Sequence, residues 1–115
     1  MSGCIFCKII NGEIPSTIIA ENEHAIAFND IDPQAPVHVL IIPKKHIASL
    51  NELDTNEDKA ILASMIALAQ EIAEKMGIKE DGYRLVNNCG ELGGQAVGHI
   101  HFHLLGGRQM TWPAG

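Results

Sequence analysis

Three of the chain's six histidines alternate with apolar side chains in one stretch, His99-Ile100-His101-Phe102-His103-Leu104-Leu105. A period of two is that of a β-strand, whose successive side chains point to opposite faces. The stretch therefore predicts His99, His101 and His103 on one face, successive rings about 6 to 7 Å apart at strand rise. Ile100, Phe102 and Leu104 then face the core. Two chemistries suit such a row of imidazoles. In one, they hold a metal ion with an open position and activate water. In the other, one imidazole is itself a nucleophile toward phosphorus while its neighbours donate hydrogen bonds to phosphate oxygens and the leaving group. The second chemistry requires phosphate-binding elements nearby. Gly93-Gly94-Gln95, just upstream, fits because glycines let backbone N–H groups approach an anion, although two adjacent glycines equally suit an ordinary turn.

Other residues carry paired readings. Cys4-x-x-Cys7 is half of a zinc site, and His46 and His99 would complete it if the fold brings them together; a redox pair or two packed thiols are the alternatives. Asp30 is either a loop cap or an acceptor for a sugar diol. His38 is the one polar side chain in an apolar run, where a satisfied core histidine competes with a fourth active-site histidine. Asn88 is a turn residue or a polar group aimed at the site.

The elements that would position these groups follow from pattern. Cys4 to Asn11 suggests a short helix closed by Gly12. Thr17 to Glu21 and His24 to Asn29 suggest a hairpin, although its Asn22-Glu23 turn lacks glycine. Pro33 and Pro36 mark residues 30–36 as a loop. Val37 to Ile42 is apolar enough for a central strand, with Pro43 expected to end it. Asp54-Thr55-Asn56-Glu57 offers an N-cap and capping carboxylate ahead of the apolar series Ile61, Met65, Leu68, Ile72 and Met76, and Gly77 supplies the stop. Tyr83 to Asn88 suggests one more strand. Several strands around one long helix, without strand–helix alternation, indicate an α+β domain with a largely antiparallel sheet.

The 115 residues are expected to form one domain, 1–115. An apolar fraction of 46% with 19% charged residues argues against disorder. The net charge of -6, and no basic run beyond Lys44-Lys45, exclude the electrostatic footprint of a nucleic-acid binder and point to a small ligand. No membrane-spanning apolar run is present, and Met1-Ser2 opens neither a secretory signal nor a myristoylation site, so a cytoplasmic protein is expected. An odd count of three cysteines, Cys4, Cys7 and Cys89, fits metal binding or free thiols better than structural disulfides.

The alternating stretch matches the motif of the histidine triad hydrolases and transferases, His-φ-His-φ-His-φ-φ with φ apolar, and the chain resembles the nucleotide-binding Hint branch of that family. The likeness extends to residues 30–36, Pro43-Lys44-Lys45-His46-Ile47, Gly93-Gly94-Gln95, Gly106-Gly107-Arg108-Gln109-Met110 and the ending Trp112-Pro113-Ala114-Gly115. The resemblance implies a mostly antiparallel five-stranded sheet with one long and one short helix, continued across a homodimer. It also implies binding of purine nucleoside monophosphates of the AMP or GMP kind and hydrolysis of nucleoside 5′-phosphoramidates, with no catalytic cofactor. By residue match, His101 is the nucleophile that forms a covalent nucleotidyl-histidine, His103 and His38 support it and the phosphate, and His99 completes the triad. Asp30 accepts the ribose hydroxyls, Phe6, Ile9, Phe28 and Ile31 line the base pocket, and Asn88, Gly94 and Gln95 lie near ribose and phosphate. Trp112 belongs to a tail that reaches the partner subunit's site.

Two departures stand out. Where the branch commonly has serine in Gly-Gly-Gln-Ser-Val, this chain has Ala96, which removes one hydrogen bond to the phosphate or leaving group. Cys4-x-x-Cys7 is absent from animal members and resembles bacterial relatives that bind structural zinc there; His99 would then be a ligand. Two further readings compete with the phosphoramidase: a metal-dependent hydrolase or dioxygenase with the triad as ligands, although no Asp or Glu lies within the triad strand to complete a facial set, and a nucleotide-binding interaction module with vestigial hydrolysis.

Overall fold

The computed structural model describes residues 3–115; Met1-Ser2, read above for a leader, lie outside them. The elements run α1 (Ile5–Ile10), β1 (Ile18–Glu21), β2 (Ala25–Asn29), β3 (Val37–Pro43), a 3-10 turn (Leu50–Glu52), α2 (Lys59–Lys75), β4 (Tyr83–Asn87) and β5 (Phe102–Gly106). The five strands form one sheet in the order β1-β2-β3-β5-β4, every neighbouring pair antiparallel. The β1–β2 hairpin forms without a turn glycine because Asn22 does the work with its side chain. Its Oδ1 accepts the backbone N–H of Ala25 at 3.0 Å while its Nδ2 donates to Ser64 O on α2 at 2.8 Å. β1 carries a bulge between Ile18 and Ala20, and Lys75 Nζ donates to Ile19 O.

The sheet has two buried faces. Ala25, Ala27, Val39, Ile41, Ile100 and Leu104 pack under α2 against Ile61, Met65, Leu68 and Ile72. Ile26, Phe28, Leu40 and Ile42 face the other way and are covered by Phe6 of α1. β3 lies between, buried on both sides, which is why its sequence is almost continuously apolar. Among the described residues no helix is long and apolar enough to cross a membrane.

Several element ends move by a residue, and three boundary differences carry a physical reason. The long helix starts at Lys59, not in 54–57. Asp54 Oδ1 instead accepts the N–H groups of Asn56 and Glu57 at 2.8 Å each, closing a separate turn. Buried Asp58 accepts Asp54 N–H at 2.9 Å and the Lys45 ammonium at 2.8 Å, fixing the chain just before His46. At the other end Gly77, at φ 73°, supplies the stop the sequence predicts, its N–H reaching Glu74 O while Ile78 N–H reaches Ala73 O. β3 does not stop at Ile42 but takes in Pro43, which pairs with Ala25.

The third difference bears on the site. β5 begins at Phe102, so only His103 of the three alternating histidines lies within the strand. Continuing the β3–β5 register would set Pro43 opposite Ile100, and proline has no N–H for the ladder. The segment 99–101 leaves the ladder accordingly: Ile100 N–H goes to Ile47 O at 2.7 Å, and Asn87 Nδ2 donates to His101 O at 3.0 Å. The alternation of faces survives, with Ile100, Phe102 and Leu104 on the α2 side.

Leu104, next to His103 and paired with Val39 and Leu85, is fully buried. Truncation by Leu104→Ala is expected to cost about 2–5 kcal/mol, seen as a lower urea midpoint with an unchanged slope.

Candidate active site

The site lies on the α1 side of the sheet. His38 of β3 and His103 of β5 sit diagonally across the ladder, with His38 Nε2 2.9 Å from His103 Nδ1. His101 follows, its ring centroid 5.1 Å from that of His103. The hydrogen bonds fix the proton on each ring. Gln34 N–H donates to His38 Nδ1 at 3.0 Å, so the His38 proton is on Nε2 and is donated to His103 Nδ1. The His103 proton is then on Nε2, free to donate into the site. His101 Nδ1–H donates to His99 O at 2.8 Å, which leaves His101 Nε2 as a bare lone pair. One histidine with an available lone pair beside one with an available N–H is the pairing that a nucleophile at phosphorus and its oxyanion donor need.

Burial pushes His103 down to about 4, assisted by repulsion from His101 and His38, so its ring stays neutral in ordinary buffers. Asp30 Oδ2 stands 3.4 Å from His38 Nε2, while its Oδ1 accepts Asp32 N–H at 2.8 Å. Of the two readings of Asp30, the loop cap is what the geometry shows: it closes an Asx-turn, and its second oxygen faces the histidine pair. Asp30, His38 and His103 bring three ligand-type atoms within 4.8 Å. As a metal site they are poorly suited, because the Gln34 N–H already occupies His38 Nδ1 and keeps Nε2 protonated.

His99 does not share this site. It is fully buried and turned to the opposite flank, where Cys4, Cys7, His46 and His99 place their ligand atoms within 4.8 Å of one another. Cys4 Sγ is 3.3 Å from His99 Nδ1, Cys7 Sγ 3.3 Å from His46 Nδ1 and 3.6 Å from His99 Nδ1, and the two Nδ1 atoms are 3.2 Å apart. Tetrahedral zinc with ordinary Zn–N and Zn–S bonds sets its N···N and N···S edges at about 3.3 to 3.6 Å, so the donor set fits that ion. His99 Nε2–H donates to Pro43 O at 2.9 Å, which assigns the lone pair to Nδ1 and supplies the outer hydrogen bond that metal-binding imidazoles ordinarily have. Burial holds the His99 ring below its usual range, keeping it neutral, and raises the Cys7 thiol. Acid therefore opposes cation binding here.

The remaining sequence candidates divide. Phe6 and Phe28 form a buried edge-to-face pair at 5.6 Å with Ile9 packed alongside, whereas Ile31 and Trp112 stand out in solvent at 101% and 82% exposure. Phe6 also meets His101 edge-on at 5.2 Å, a contact the sequence did not indicate. The glycine loop closes on itself: Gly94 N–H goes to Glu91 O and Gln95 N–H to Gly90 O, and a Cβ on Gly93 would collide with the Cys89 carbonyl. Gln95 braces that loop, its Nε2 donating to Ala48 O and Val97 O and its Oε1 accepting Gly90 N–H. Residues 93–95 therefore shape the loop ahead of the histidines. Asn88 lies just past β4, and it is its neighbour Asn87 that binds the His101 carbonyl. Sequence reasoning missed Asn87, which the pairing of Asn87 with Phe102 would have located.

The model of the HIT domain matches residues 11–110. The purine nucleoside phosphoramidase of Escherichia coli is 52% identical over 106 residues, covering 92% of this chain and 88% of that protein. An uncharacterized HIT-like protein of Synechococcus elongatus is 50% identical over 96% of both chains. Among solved structures, a HIT family hydrolase from Legionella pneumophila superposes with a TM-score of 0.94 at 55% identity, covering 98% of this chain and 100% of that one.

Because His103 is neutral when folded and takes its proton near 4, against about 6.5 when unfolded, its contribution to stability is full above pH 6.5 and falls as pH drops toward 4. Calorimetric Tm values across that window should decline in the native chain and decline less in His103→Gln.

Proposed function

The chain belongs to the HIT domain family and is a hydrolase of that family, and on that footing we propose that it hydrolyses purine nucleoside 5′-phosphoramidates. The observation that carries this reading is the proton placement on His101: Nδ1–H is held by the His99 carbonyl at 2.8 Å, so Nε2 presents a lone pair. That nitrogen attacks the α-phosphorus, the P–N bond breaks, and the amine departs protonated. Water then cleaves the nucleotidyl-histidine and releases the nucleoside monophosphate. His103 Nε2–H, set by His38 and ultimately by Gln34 N–H, donates to the phosphate oxygens. Asp30 Oδ2 accepts a ribose hydroxyl, and Phe6, Ile9 and Phe28 receive the base, with Ile31 folding over it from solvent. Asn88 serves as a polar neighbour of the ribose.

Zinc is the cation we assign to Cys4, Cys7, His46 and His99, in a structural role away from the reacting phosphorus; the four donors hold it and the reaction itself uses imidazoles alone. The functional unit is one HIT domain over 1–115 that pairs as a cytoplasmic homodimer, its sheet continued across the two-fold and Trp112 reaching the partner's site. β4 is the regular outer strand available for that continuation.

Ala96 favours a second reading, a nucleotide-binding module with weak turnover, because the side-chain hydrogen bond of the usual serine is missing. A hydrogen bond to a charged group is worth about 1.5–3 kcal/mol, so Ala96→Ser should raise kcat on an adenosine phosphoramidate by about tenfold or more. An unchanged rate would remove the explanation from Ala96. His101→Ala should abolish turnover and the nucleotidyl adduct seen by mass spectrometry while nucleoside monophosphate binding persists; turnover in that variant would refute the nucleophile.

A further inference from the structure

We propose that the Cys4–Cys7–His46–His99 centre, once it holds a cation, is the positioning device of the His101 ring, acting through His99 and Phe6. The inference rests on the reading of His101 as the nucleophile. Two separate contacts lead from the cluster to that ring. The first runs through one residue. His99 gives Nδ1 to the cluster and Nε2–H to Pro43 O at 2.9 Å, and its own carbonyl accepts His101 Nδ1–H at 2.8 Å. A fully buried side chain held at both ring nitrogens cannot turn without moving its backbone. The carbonyl that places the His101 proton is fixed to the same degree as the His99 ring.

The second contact runs through α1. Phe6 stands between Cys4 and Cys7, is buried, and meets His99 at 5.8 Å and His101 at 5.2 Å, both edge-on. α1 has six residues, far too few to be helical on propensity alone. Two sulfurs bound to one cation would anchor both ends of the Cys4-Ile5-Phe6-Cys7 turn and hence the ring between them. The cluster is also reachable: Cys4 and His46 line a cavity of about 440 Å³ with Gly3, Ile5, Ala96, Val97 and Gly98. Cation loading is thus open to change in the folded chain, and with it the alignment of His101.

The test compares the full chain loaded with zinc alone and the same protein stripped by a small chelator, with histidine ring nitrogens observed by 15N NMR. In the loaded protein His101 should show a single Nδ1–H tautomer. After stripping, its signals should average between tautomers while those of His38 and His103 persist. kcat on a nucleoside phosphoramidate should fall about 10- to 100-fold, the scale of a small misalignment, with full recovery on zinc return. A His101 tautomer that survives stripping overturns the proposal, and this readout stands whether or not the phosphoramidate proves to be the substrate. Phe6→Leu in the zinc-loaded protein should also mix the His101 tautomers, but less than stripping does, because stripping releases the His99 contact as well. If stripping unfolds the chain, the loaded Phe6→Leu spectrum decides: an unchanged His101 signature rejects the α1 contact.

Discussion

A neutral imidazole has one proton for two nitrogens, and the arrangement of this molecule depends on where four such protons are placed. Each is set by a backbone group. Gln34 N–H occupies His38 Nδ1, the Pro43 carbonyl takes the His99 Nε2 proton, and the His99 carbonyl takes the His101 Nδ1 proton; His103 is set at second hand by His38. Backbone groups hold their positions because the strands and the Pro-rich loop hold theirs. The loop is itself tied down, since Arg108 Nε donates to the Gln34 carbonyl at 2.9 Å. The tail residue Arg108 thereby steadies the peptide whose neighbouring N–H starts the relay.

Two adjacent histidine sets with different tasks coexist because the chain leaves the β3–β5 ladder where Pro43 has no N–H to give. Had 99–101 remained in the strand, His99 would stand in line with His101 and His103. Out of the ladder, His99 turns to Cys4, Cys7 and His46 while His101 stays beside His103. The separation leaves a bare ring nitrogen at each site, His99 Nδ1 beside two sulfurs and His101 Nε2 beside His103. Burial keeps the rings of His99 and His103 neutral.

Much of this was legible in the residues. Alternation correctly assigned faces over 99–104, because it depends only on backbone geometry. The Cys4-x-x-Cys7 spacing with His46 and His99 correctly grouped four donors that lie far apart in the chain. The helix start was misread because Asp54 and Glu57 form a capping pattern that here closes a free-standing turn. The strand start was misread because a missing proline N–H on the neighbouring strand leaves no mark in the histidine stretch itself. Gln95 braces its loop, a use that an amide in a glycine turn serves as readily as a ligand contact. Asn87, which donates to the His101 carbonyl, carries no mark in the sequence, and only its register with Phe102 places it.

The two outer strands are unlike. β1 is four residues long, bulged between Ile18 and Ala20, and has its Ile19 carbonyl taken by Lys75, whereas β4 pairs in unbroken register with β5. Bulges and lysines are how sheets discourage edge-to-edge addition. A sheet with one receptive edge and one blunted edge accepts a single neighbour, and a two-fold pairing then uses up the receptive edge on both copies. Such a pairing would leave only blunted edges, so the same asymmetry guards a compact, apolar-rich chain against assembling into fibres.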